Sequence, residues 1–111
     1  MDLNHIQFNY TPATGDNPRR TDHLAAMHEG KAIGQMTWFP GNGQLNSIAV
    51  DEGHRRQGLA LGMMRHVQEN HMPAMANGKT MPLTHSPYRD PDGEKFAQAT
   101  KGEFYAPKRI K

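Results

Sequence analysis

The amino-acid sequence predicts an α/β (α+β) domain with a mixed sheet: an antiparallel meander, then a β-α-β crossover, then a C-terminal helix. Two observations carry this prediction. Residues 5–50 are a run of short segments in which apolar and polar side chains alternate, separated by turns rich in glycine and proline; that is the pattern of consecutive antiparallel strands. After residue 50 the period changes. Apolar positions at 60, 63, 64 and 67 fall on one face of a helix, and the apolar segment that follows is laid parallel to the preceding strand by a right-handed crossover.

The elements follow in order. His5-Ile-Gln-Phe-Asn-Tyr10 alternates as a first strand, and residues 11–20, with two prolines and a glycine, read as a loop. Segments 22–28 and 32–39 form a hairpin about Glu29-Gly30-Lys31, and Pro40-Gly41-Asn42-Gly43 turns the chain into a strand over 44–50. Asp51, Glu52 and Gly53 break the alternation before a helix over 59–70. Pro73 ends that helical region, Gly78 closes a short connection, and 80–85 is the expected parallel strand. A last helix has Asp90 as N-cap, Pro91 as its first residue, Asp92 and Glu94 in its first turn, Lys101 near its end and Gly102 as its stop. Beyond it, Glu103-Phe-Tyr-Ala-Pro and the basic tail form a final strand or fray.

Composition sets bounds. The 111 residues amount to one domain, 1–111. Only 35% of them are hydrophobic and the mean hydropathy is −0.85, so the core is thin, and a bound cofactor or a homodimer partner would add to its stability. The net charge of +2 is spread along the chain rather than blocked, which does not indicate a nucleic-acid surface. With no cysteine, disulfides, thiol nucleophiles and cysteine-based metal sites are excluded. The start Met-Asp-Leu-Asn-His lacks a basic-then-apolar signal pattern and the apolar stretches are too short to span a bilayer. A soluble, cytoplasmic protein is expected.

The segment with chemical content is 45–66, where a strand runs through a basic, glycine-containing turn into the helix. The first N–H groups of a helix lack intrahelical partners and carry the positive end of the macrodipole. Ordinary helices begin with Asp, Ser or Glu to satisfy them. This one is preceded by Arg55, Arg56, Gln57 and Gly58, a local misfit that an external anion would resolve. Gly58 lets the backbone approach a phosphate, the amides of Gln57, Gly58, Leu59 and Ala60 donate to its oxygens, and Arg55 or Arg56 supplies forked charge. Ala60 is expected to keep the helix thin against the strand. Neither G-x-x-x-x-G-K-[ST] nor a strand followed by G-x-G-x-x-G is present.

Arg55-x-x-Gly58-x-Ala60 matches the (Q/R)-x-x-G-x-(G/A) signature of the GNAT N-acetyltransferases, and its flanks, an Ile-Ala-Val strand and a Leu/Met-rich helix, resemble that family too. The resemblance covers about residues 22–102. The family's first helices are missing, because about ten residues between the first two strands cannot hold them. Thr84-His-Ser-Pro-Tyr-Arg89, with Gly93 and Ala97, is also similar to short acetyltransferase-like proteins of actinobacteria and their phages. The resemblance implies acetyl-coenzyme A as co-substrate, with its diphosphate on the 55–60 loop and its pantetheine arm on the backbone of Ile48, Ala49 and Val50, where two strands splay apart. It implies an N-acetyltransferase acting on an amine of an unidentified small molecule or protein, or a catalytically inactive module that kept the fold and binds a partner.

The binding half of such a site is present; the acid and base are not evident. Gln44 and Asn46 stand where some relatives place a glutamate base, and Gln98 where many place a tyrosine acid. Tyr105 is the candidate acid, with Glu103, Tyr88, His85 and Glu52 as substitutes by composition. His85 and Ser86 are adjacent on a strand and point to opposite faces, so they do not act as a pair. His66 and His71 are five apart, a spacing that does not bring two ligands onto one helix face, and no metal site is expected. Met63 and Met64 read as core filler, and Trp38 and Phe39 as packing at a strand end.

Overall fold

The computed structural model describes residues 5–17, 19–54, 58–86, 95–98 and 104. Four strands, β1 (Gln7–Thr11), β2 (Asp22–His28), β3 (Lys31–Trp38) and β4 (Leu45–Val50), form one sheet in chain order with antiparallel neighbours. A 3-10 turn over Glu52–His54 leads to helix α1 (Leu59–Asn70). The expected meander is therefore present, and no helix lies between β1 and β2 among the described residues. Glu29 and Gly30 both take positive φ, 52° and 78°, the twist that closes a two-residue hairpin.

One face of the sheet carries the core. Leu24, Ala26, Ile33, Met36, Trp38 and Leu45 pack against Leu59, Met63, Met64 and Val67 of α1, with Leu83 and Phe104 completing the cluster. The helix buries Leu59, not Ala60, which is half-exposed. The close approach expected of Ala60 is instead made by Gly34 on β3, where an added Cβ would meet Met63 and Leu59 at 3.1–3.3 Å. On the other face Gln35, Ser47 and Ala49 are exposed. Its polar side chains pair across strands: His23 with Gln35 at 3.0 Å, Thr37 with Ser47 at 2.6 Å, and Asn46 with Thr37 at 3.0 Å.

Residues 80–85 run parallel to β4, as expected, but do not form a strand. They make one parallel bridge, Gln44 with Thr84, and one antiparallel bridge, Ala74 with Thr80. Pro82 removes one ladder donor, and Gln68 of α1 takes over the neighbours. Its side chain accepts from the Leu83 N–H at 2.7 Å and donates to the Met81 carbonyl at 3.1 Å. Residues 95–98 are helical; the expected caps and first turn of that last helix, Asp90 to Glu94, and its end at Lys101 and Gly102 lie outside the described residues.

An aromatic cluster ties β1 to the end of α1. Phe8 stacks on His66 at 4.5 Å, and Tyr10 on His71 at 4.1 Å. The Tyr10 hydroxyl donates to Asp22 at 2.7 Å, and the other Asp22 oxygen accepts from the Ala13 N–H at 2.8 Å. Burial, then the Asp22 hydrogen bond and charge, push the Tyr10 phenol up to about 12. Burial, followed by the neighbouring His66, holds His71 below the usual histidine value.

Candidate functional site

The site is built where β4 meets its parallel neighbour. Thr84 donates to the Gly43 carbonyl at 2.9 Å and accepts from the Leu45 N–H at 2.8 Å. The His85 N–H points the other way, to the Phe104 carbonyl at 2.9 Å, as alternate residues of an extended segment do. The two segments meet at this vertex, and the parallel register leads on to residues outside the described ones. A register shift at Thr37/Trp38, opposite Leu45 to Ser47, lies at that vertex. Gly43 is committed to it: its φ is +74°, and a Cβ there would run into the Pro82 carbonyl.

Ladder parity decides which way the β4 groups face. The Asp51 N–H donates to the Ile33 carbonyl at 2.8 Å, so Asp51, Ala49 and Ser47 direct their backbone groups at β3, and Ile48 and Val50 direct theirs away from it. Ala49 is paired to Gln35 in the register and offers only its methyl group, on the exposed face.

At the end of β4, the His54 N–H donates to the Asp51 carbonyl at 2.8 Å, closing the 3-10 turn, and the His54 ring lies 3.5 Å from the Asp51 carboxylate. Gly58 then enters α1 in the left-handed region, φ 80° and ψ 6°. It is the N-cap, no side-chain hydrogen bond caps the helix among the described residues, and the first turn holds no acidic residue. An added Cβ at Gly58 would meet nothing within 4 Å, so the glycine is required by its backbone angle and its outer side is open. The leading amides of α1, including those of Leu59 and Ala60, therefore keep the positive end of the helix uncompensated by side chains. Arg55, Arg56 and Gln57 lie outside the described residues. The arrangement accepts an oxygen-rich anion at the helix start and an amide-bearing chain along the β4 edge.

Of the candidate proton-transfer groups, Tyr105, Tyr88 and Glu103 lie outside the described residues. His85 is 2% exposed, with Phe96 edge-on at 5.0 Å. Glu52 and Gln98 are exposed. On the face away from α1 an open depression of about 600 Å³ is lined by His23, Gln35, Thr37 and Ser47 and reaches Asp51 and Glu52. Sequence reasoning missed two arrangements: the Gln68 brace, and the meeting of His66 with His71, whose Nε2 atoms lie 3.2 Å apart. His71 is the C-cap, with φ −128°, so it has left the helix whose spacing rule would separate the two rings.

The family model for the acetyltransferase (GNAT) family matches residues 3–90. Among solved structures, the ribosomal-protein-alanine N-acetyltransferase of Brucella melitensis biovar Abortus 2308 is similar in fold, with a TM-score of 0.58 and 20% identity, over 84% of this chain and 67% of that one. No curated protein matches the chain significantly.

Proposed function

The chain belongs to the acetyltransferase (GNAT) family, an acyltransferase family, and from that premise we propose that it transfers an acetyl group from acetyl-coenzyme A to an amine. The observation that carries the proposal is the start of α1, a left-handed glycine with no side-chain cap among the described residues, following a strand that meets its parallel neighbour at one bridge. In this reading the diphosphate rests on the amides of Gly58, Leu59 and Ala60, with Gln57, Arg55 and Arg56 closing over it. The pantetheine arm lies along the Ile48 edge of β4, and the thioester lies near the vertex at Leu45 and Thr84. Tyr105 is the first candidate for the acid that protonates the departing thiolate.

The acceptor follows less directly. An alanine of a ribosomal protein is the acceptor named for the solved neighbour. The polar sheet face is open and ends at Asp51 and Glu52, which suits an amine on a polypeptide. A polypeptide amine is the acceptor class to test first.

Thermal protection tests cofactor binding. Acetyl-coenzyme A at 100 times its dissociation constant adds about 2.7 kcal/mol, which for a domain of this size raises the melting temperature by roughly 10 °C. Gly58→Glu places a carboxylate on the open side of the helix start, and the shift is expected to vanish in that variant even though its own melting temperature is lower. Equal shifts in both proteins would reject the site. A thiol-release assay over an amine panel then separates the enzyme from the module: protection without turnover on any amine favours the non-catalytic reading.

A further inference from the structure

We propose that His66 and His71 form a two-histidine clip for a divalent transition-metal ion, independent of the acetyl-transfer site. Their Nε2 atoms are 3.2 Å apart and their ring centroids 5.0 Å apart. Two imidazoles joined by a straight N–H···N bond of that length would place their centroids about 5.5 Å apart. The rings are tilted off that line, so the contact is a bent hydrogen bond. A metal ion about 2.0–2.1 Å from each nitrogen at a roughly tetrahedral angle spans about 3.3 Å between them, so the same separation suits a bidentate donor set.

The surroundings hold both rings in place. Phe8 stacks on His66 and Tyr10 on His71. The Tyr10 hydroxyl is committed to Asp22 and does not compete as a ligand. The Asn70 amide donates to the His66 carbonyl at 2.9 Å and to His66 Nδ1 at 3.4 Å; a metal on Nε2 moves the proton to Nδ1 and displaces only that long second bond. Both histidines are half-exposed, which gives an ion a path in and lets water fill the remaining positions.

The test is titration of the full chain, free of any added polyhistidine, with Zn²⁺ alone, read by calorimetry and by the imidazole resonances. One equivalent is expected to bind, shifting the His66 and His71 signals. His71→Phe keeps a ring on Tyr10 and His66→Gln keeps the helix; each is expected to weaken binding by about tenfold or more. His28→Gln, on the other histidine pair with His54, is expected to leave binding unchanged. No binding by the wild type, undiminished binding in both clip variants, or loss in His28→Gln would each overturn the assignment. An acetyl-coenzyme A-dependent melting shift retained in the clip variants shows that they are folded.

Discussion

The phenol of Tyr10 donates to the nearly buried carboxylate of Asp22 at 2.7 Å, and burial with that contact pushes its pKa to about 12. In the unfolded chain the same group ionises near 10. Between these values the unfolded state has lost a proton that the folded state still holds, so stability falls as pH rises through that window. Below pH 10 the contribution is fully present. Tyr10→Phe is expected to flatten this part of the alkaline stability profile, measured as denaturant midpoint from pH 8 to 12; an unchanged slope would mean that the Asp22 contact does not govern the phenol. Legibility also differs from one residue to the next. Gly58 could be read as a place where the backbone needs to be free of a Cβ, and its left-handed entry to the helix, φ 80°, came only with the fold. His71 could not be placed, since spacing rules count along a regular helix and this residue has just left one.

At the scale of elements, residues 80–85 show what pattern predicts and what it leaves out. Their apolar character and the preceding helix fix a parallel course beside β4, and the Thr84 bridge has that sense. Pairing is a separate matter. Pro82 lacks a donor, and Gln68 satisfies the backbone of Met81 and Leu83 from the helix, so the stretch leading up to Thr84 completes these bonds without β4. That is why the segment meets β4 through a single bridge and not as a strand. Gln68→Ala removes the partner of the N–H of the fully buried Leu83 and is expected to cost about 1–3 kcal/mol. Gln68→Glu keeps the acceptor for Leu83 and loses only the donor to Met81, so it is expected to cost less. Urea midpoints of the two variants measure the difference, and equal costs would show that the Leu83 bond is not the one that matters.

For the whole molecule, the sequence carried the order of the four strands and of α1, because a strand, a turn and an amphipathic helix leave separate marks in composition. It carried little about the open polar face, whose lining side chains His23, Gln35 and Ser47 come from three strands that only the folded sheet brings together. The thin core makes cofactor binding the readiest global readout, and the parts of the cofactor can be tested one at a time. If the uncapped start of α1 is the anchor, affinity comes mainly from the diphosphate, and the acetyl group adds little. Coenzyme A without its acetyl group is then expected to raise the melting temperature nearly as far as acetyl-coenzyme A, while pantetheine, which has the arm but no diphosphate, raises it by only a few degrees at the same concentration. Pantetheine protecting as well as coenzyme A would move the anchor from the helix to the β4 edge, and that edge, not the helix start, would then be the feature that holds the ligand.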